Sequence, residues 1–403
     1  MDLLVSVSRK TFAQNPSLTH PSADEVENES NRGAALERQL TATGGRRMVA
    51  KRLDQGGGEV VQSGFEGRVT GQIRALNSKR EHMKRQLVAL LVLGSFASSA
   101  WAFQAGAIAG SRDGAGVPVA FQASLGVLNG EAKEHVYDYE GPGGGRRQLS
   151  RLDWDLKGIA MGGVNGSVRL MDALTINGGV WLALSKGSGE MEDYDWLIVD
   201  SADWTHYSLS DVDIESGYIF DLNVAWDFQL TQDLVARAMV GYKQNGWEWK
   251  DRGQYLLYPE YGYVPQDLGG ENMINYEQEF RMPYLGASAD WKTGNFTLSG
   301  YLTWSPIVAA DDWDVHVARD VHYHETFDGG NMLGLGLSAR YDFTQGSLQG
   351  VFLTAALDYQ KISRIVGDME LTDGSTGESG GEEDVAGIEN SYVIFSVGGG
   401  IRF

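Results

Sequence analysis

The sequence predicts an all-β chain, a ten-stranded antiparallel transmembrane β-barrel extending above an outer membrane, and three observations carry that prediction. First, 53 glycines, only 8 prolines and a rich supply of aromatics (11 Trp, 17 Tyr, 14 Phe) do not suit an ordinary soluble α/β enzyme. Second, long stretches alternate with period two, while no apolar run reaches the ~20 residues a transmembrane helix needs. Third, the chain closes on Val393-x-Phe395-x-Val397-x-Gly399-x-Ile401-x-Phe403, an alternating segment with an aromatic at its end, like the terminal strand of an inserted barrel.

The period-two segments place the strands. In Phe296 to Trp304 one face reads Phe, Leu, Gly, Leu, Trp and the other Thr, Ser, Tyr, Thr. Phe220, Leu222, Val224, Trp226 and Phe228 alternate with Asp221, Asn223, Ala225 and Asp227. Leu333, Leu335, Leu337, Ala339, Tyr341 and Phe343 alternate with small or polar residues. Ten strands follow, near 119–137, 149–168, 173–185, 216–228, 234–250, 274–289, 295–309, 322–343, 350–363 and 391–403. An even number closes an antiparallel barrel without an unpaired edge in lipid. A soluble β-sandwich shares the same periodicity. The terminal strand and a leader peptide favour the barrel. Ten strands enclose a lumen nearly filled by side chains, which argues against an open pore.

The leader begins at Met83. Lys84 and Arg85 are its basic start, Leu87 to Phe96 its apolar middle, and Ala100-Trp101-Ala102 its small-x-small cleavage site. Residues 83–102 are therefore expected to be a secretory signal peptide cut before Phe103. Residues 1–82 have mixed polar composition and no sustained period. They are expected to be non-native upstream sequence from a misassigned start, disordered and without stable packing, leaving 103–403 as the mature domain.

Charge and cysteine content narrow the function. Residues 103–403 carry 19 basic and 44 acidic side chains, a net of −25, which argues against nucleic acid as a partner and favours cationic ones. The absence of cysteine removes thiol nucleophiles and thiolate metal sites. Neither Gly-x-Ser-x-Gly nor His-Glu-x-x-His occurs.

Two acidic clusters remain, Glu190-Met191-Glu192-Asp193-Tyr194-Asp195-Trp196 and Asp311-Asp312-Trp313-Asp314-Val315-His316. On a strand, residues i and i+2 share a face, so Asp193 points with Asp195, and Asp312 with Asp314 and His316. A carboxylate beside an imidazole can orient a general base, and two carboxylates opposite could hold a water and share a proton. A solvated acidic loop or a calcium site would use the same residues. His322 and His324 share a face, but no third metal ligand accompanies them.

Several ordered segments resemble the omptin family of outer-membrane proteases, and the resemblance extends through 119–403. They are Gln148-Leu149-Ser150-Arg151-Leu152-Asp153-Trp154, Asp193-Tyr194-Asp195-Trp196, Phe220-Asp221-Leu222-Asn223, Phe280-Arg281-Met282-Pro283-Tyr284, Asp312-Trp313-Asp314-Val315-His316 and Ala386-Gly387-Ile388-Glu389-Asn390. The resemblance implies an outer-membrane endopeptidase with its active site facing outward, cutting next to Arg or Lys in basic peptides or proteins. It implies a catalytic quartet of Asp193, Asp195, Asp314 and His316. In that scheme His316, oriented by Asp314, deprotonates a water shared with Asp193, Asp195 handles charge on the intermediate, and no metal or acyl-enzyme is involved. Glu134 and Asp312 are implied to bind the basic side chain. His206 stands where family members commonly carry Asp in the pocket after the bond.

The family also typically needs lipopolysaccharide, held outside the barrel by a Tyr-x-Glu-x-Arg strand. Here that strand reads Tyr242-Lys243-Gln244-Asn245-Gly246, and Glu279 stands where an Arg is common. The lipid motif is largely missing, leaving Lys243, Lys250 or Arg281 as substitute cations. The alternative reading is a non-catalytic barrel that binds cationic peptides or surfaces in the manner of an adhesin.

Overall fold

The computed structural model describes residues 118–139 and 145–403. The expected leader at 83–102 and the upstream segment 1–82 lie outside the described residues. In chain order the strands are β1 (Val119–Asp138), β2 (Arg147–Arg169), β3 (Leu174–Ala183), β4 (Gly187–Asp195), β5 (His206–Gln229) and β6 (Leu234–Leu257). After the two-residue β7 (Gln266–Asp267) come β8 (Ile274–Thr293), β9 (Phe296–His316), β10 (Val321–Asp342), β11 (Val351–Asp373) and β12 (Ser379–Arg402). All paired neighbours are antiparallel, and β1 pairs with both β2 and β12, so the sheet closes on itself.

The ring has ten positions. β3 and β4 share one of them, since each pairs with β2 on one side and β5 on the other. β7 pairs only with the tip of β6. The break between β3 and β4 faces an irregularity in β2, where Gly158 takes a φ of +64°. Glycine reaches that left-handed region without steric cost, which permits a bulge there.

Several strands run further than their apolar alternation predicts. The expected 216–228 is 206–229, 350–363 is 351–373, and 391–403 begins at 379. The acidic segment 187–195 is a strand of its own rather than a loop. The physical reason is a change of environment. Along the lower strands, exposed apolar side chains form an outward belt, with Leu222, Val224, Trp226 and Phe228 on β5, Leu333, Leu335 and Leu337 on β10, and Phe395, Val397 and Ile401 on β12. Above the belt the outward face turns polar, and the period-two contrast fades although the ladder continues. A 24-residue strand such as β5 is more than twice the ~10 residues that cross a bilayer, so much of it projects beyond.

The interior is filled in layers. Inside the belt the lumen is polar, with buried Asn165, Asn177, Asn223, Arg237 and Asp290. Above it lies an apolar plug whose centre is Trp154, Trp249 and Tyr276, with Trp154 and Tyr276 stacked at 5.0 Å between ring centres. The start of β1, the end of β12 and the short turns lie at the belt end of the barrel, and the longer connections at the other. The acidic residues crown the plug at that far end.

Candidate active site

Register decides which side chains meet at the mouth. On β4, Asp193 and Asp195 face inward opposite Leu152 and Ser150 of β2, and Ser150 donates its hydroxyl to Asp193 Oδ1 at 3.1 Å. On β9, Asp312 and Asp314 point inward, and His316 ends the strand. The His316 ring lies with Nε2 2.6 Å from Asp314 Oδ2 and packs edge-on to Tyr323 at 5.2 Å. The Arg319 guanidinium, in the turn just beyond, contacts His316 Nδ1. Glu134 enters from β1 and is fully buried.

The two acidic clusters act on one another electrostatically across the mouth. Burial raises the Asp193 carboxyl to about 6, opposed by the Ser150 hydrogen bond and by His316, while Asp314 adds to the rise. That dependence on His316 and Asp314 places β4 and β9 within electrostatic reach of each other. Asp195 is pushed well above the usual carboxylate range by burial and then by Asp193. Glu134 is pushed up by burial and then by Asp314, Asp312 and Asp193. These groups all lie above the apolar belt.

The floor of the site hangs on one chain of hydrogen bonds. Tyr276 donates to Asp312 Oδ2 at 2.8 Å, Gln278 Nε2 donates to the Tyr276 hydroxyl at 2.8 Å, and Asn390 Nδ2 donates to Gln278 Oε1 at 3.3 Å. Asp312 Oδ1 and Glu134 Oε2 lie buried with no hydrogen-bond partner. Buried carboxylates that lack donors are unfavourable, so the arrangement is suited to a cation or a protonated group.

Other residues join the site that period and composition did not single out. Glu325 of β10 lies directly opposite Asp312 and is completely buried. Its signal was the antiparallel register of β9 and β10, not any local motif. His206 is the cross-strand partner of Asp195, bonded through Nδ1 to Thr205 Oγ1 at 2.9 Å, with Nε2 3.5 Å from Glu260. Tyr258 packs edge-on to the His206 ring at 4.7 Å.

The remaining candidates lie elsewhere. His324 stacks on Trp313 at 5.2 Å and faces Asp311 at 3.4 Å, whereas His322 pairs with Asp320 at 3.1 Å. No group of three potential metal ligands occurs among the described residues. Lys243, expected as a substitute lipid-binding cation, is buried inside the barrel with its ammonium over the Tyr392 ring at 5.7 Å. Neighbouring strand residues alternate between faces, so Tyr242 outside puts Lys243 inside.

Fold and mouth together define a transmembrane β-barrel with a water-facing acidic site that carries one Asp–His pair. The chain belongs to the omptin family, whose model matches residues 117–403. It is 31% identical over 285 residues to the plasminogen activator of Yersinia pestis, covering 70% of this chain and 88% of the relative. It is 29% identical over 293 residues to the outer membrane protease OmpP of Escherichia coli (strain K12), covering 70% and 89%. Its fold matches the crystal structure of the outer membrane protease OmpT from Escherichia coli with a TM-score of 0.66 and 25% identity, covering 72% of this chain and 99% of that one. The protein is thus an outer-membrane β-barrel of a protease family, and the apolar belt is its membrane-spanning zone.

Proposed function

We propose that this chain is a surface endopeptidase that hydrolyses peptide bonds next to Arg or Lys, using water activated by His316 and Asp314 opposite Asp193 and Asp195. The observation that carries the reading is the Asp314–His316 contact of 2.6 Å on one wall, facing Asp193 on the other. A carboxylate on Nε2 holds the imidazole as the Nε2–H tautomer and leaves Nδ1 to take a proton. Arg319 occupies that nitrogen in the structure, and its place in an exposed turn lets it swing aside.

The chemistry then follows from the residues. Water between Asp193 and His316 loses a proton to Nδ1 as its oxygen attacks the carbonyl carbon. Asp195, whose raised carboxyl holds a proton more readily than a free one, lies beside the developing charge. The imidazolium returns its proton to the leaving nitrogen, and the C–N bond breaks. Water is the nucleophile, so no acyl-enzyme accumulates.

Glu134 and Asp312 supply the preference for a basic side chain. A guanidinium meets both through charge-assisted hydrogen bonds, which are stronger than neutral ones. An apolar side chain would leave the acids buried and unpaired, a difference of ~10²-fold or more in kcat/KM. The test compares peptides that differ only in Arg or Leu before the cleaved bond, in wild type and in Glu134→Gln/Asp312→Asn. Wild type should prefer Arg strongly and the double variant should lose most of that preference. Retention of full Arg selectivity would remove the pocket from these two residues.

Lipopolysaccharide, implied as a possible cofactor by the family resemblance, would meet a rim from which most of its binding motif is missing. Arg281 is bound to Glu279 at 3.0 Å and also to Asp311, so the cation on this patch is already neutralised. Tyr218 donates to Glu279 at 3.0 Å and Gln244 Nε2 donates to Tyr218 at 2.9 Å, closing a polar network around a carboxylate. A phosphorylated lipid needs cations there. Our reading is that cleavage proceeds without that lipid.

A further inference from the structure

Resting on the basic-pocket reading above, we propose that Glu325 is a third carboxylate of that pocket, and that it makes the site select arginine over lysine. Glu325 and Asp312 are direct cross-strand partners on β10 and β9, so their side chains rise from neighbouring positions on one inner face. Glu134 faces them from β1, close enough for its charge to act on Glu325.

The unpartnered oxygens point to a ligand. Glu325 has no solvent exposure, and neither of its carboxyl oxygens meets an N–H or O–H donor among the described residues. Asp312 Oδ1 and Glu134 Oε2 are in the same condition, whereas Asp312 Oδ2 already accepts from Tyr276 at 2.8 Å. The polar group that Glu325 does meet is the Asp312 carboxyl itself. Three neighbouring carboxyls with open, buried oxygens call for a donor from outside the chain.

The number and placement of acceptors favour a guanidinium. It carries five N–H donors in one plane, so carboxylates from two walls can bind different edges at once. An ammonium offers three donors at a point and is more strongly hydrated, so it satisfies fewer of these oxygens and loses more on leaving water. Two acids would hold either cation. The third rewards the wider one.

Proton balance agrees with this. Burial raises the Glu325 carboxyl first, and Asp312, Glu134 and Asp314 raise it further. Asp312 is likewise raised by burial, against the Tyr276 hydrogen bond. A guanidinium entering beside these carboxyls opposes that rise and favours their ionised forms.

The experiment measures kcat/KM for peptides that differ only in Arg or Lys before the cleaved bond. It uses enzyme purified from outer membranes, as wild type, Glu325→Gln and Glu325→Asp. Wild type should favour Arg by roughly 10-fold or more, and Glu325→Gln should bring the ratio near 1 by losing activity mainly on the Arg peptide. Glu325→Asp, which keeps the charge but shortens its reach, should fall between. An unchanged Arg-to-Lys ratio in Glu325→Gln, or an equal loss on both peptides, would overturn the proposal. Should the Gln variant not yield a heat-modifiable barrel on gels, the ratio in Glu325→Asp decides in the same way. A Leu peptide separates the two readings. If wild type cleaves it as well as Arg, the basic pocket itself fails. If wild type rejects Leu while the Arg-to-Lys ratio is unmoved in the variants, only the role of Glu325 fails.

Discussion

The lower lumen and the upper mouth of this barrel are built from the same residue types and treat buried charge in opposite ways. Inside the belt Asp227, Asp290 and Asp342 each pair with arginine. Asp227 lies 2.8 Å from Arg169 and 2.7 Å from Arg237, Arg237 also reaches Asp290 at 2.7 Å, and Asp342 is held by Arg340 at 3.1 Å and by Arg402. In the mouth, Glu134, Asp312 and Glu325 bury carboxyl oxygens that no donor meets. A paired charge under the plug holds strands together, because removing one partner strands the other in low dielectric. Unmatched carboxyls above the plug are a standing cost that, on the proposed function, a cationic substrate relieves. The plug of Trp154, Trp249 and Tyr276 separates the two regimes.

If this comparison holds, the largest effect comes from the mouth. His316→Ala and Asp193→Ala should each lower kcat/KM by ~10²–10⁴, with heat-modifiable mobility on gels unchanged, since a general base and its water partner are lost without loss of packing. Near-normal turnover in either variant would break the assignment. Next comes the lumen, where Arg237→Leu leaves Asp227 and Asp290 short of a cation. Its cost should be ~3–5 kcal/mol of stability by denaturant titration in detergent, with cleavage by the still-folded fraction intact. A loss of activity without loss of stability would erase the distinction between the regions.

Smaller effects sharpen it. The Asp193 carboxyl, raised to about 6 mainly by burial, must be ionised to hold the water. The pH profile of kcat/KM should therefore fall as pH drops through about 6, approaching tenfold per unit below it. A profile flat down to pH 4 would remove Asp193 from that role. The same raised groups predict a stability trend of definite sign. A carboxyl whose folded pKa exceeds its unfolded one favours the folded state when protonated. That contribution is complete below the unfolded value and is lost as pH rises through the folded one. For Asp193 the window runs from 3.8 to about 6. Glu325, raised by burial and by Asp312, shifts in the same direction. Glu325→Gln should accordingly stabilise the barrel by ~1 kcal/mol at pH 8 and by less at pH 5, read as thermal midpoints. Destabilisation at pH 8 would mean that Glu325 has a structural partner. The smallest effect concerns the rim, where added lipopolysaccharide should change kcat/KM less than about twofold because Glu279 and Asp311 already neutralise Arg281. A strong activation would reverse that reading.

The sequence by itself determined the ten-position barrel and its belt, because a strand with one face in lipid must alternate, as Leu222 to Phe228 and Leu333 to Leu337 do. It also determined that Asp193 and Asp195 share a face, and that Asp312, Asp314 and His316 share another, since strand side chains repeat every two residues. Lys243, opposite in parity to Tyr242, lies inside the barrel, against the expectation of an outer cation. Only the tertiary structure decided how far the strands climb above the belt, because alternation fades once neither face meets lipid. Register alone set Glu325 beside Asp312 and His206 beside Asp195. Closure of the ring brought Glu134 from β1 to the acids of β9, far away in sequence. Local chemistry sets which way a strand residue points, whereas pairing across strands sets which residues it meets, and the acid pocket at the mouth depends on the second.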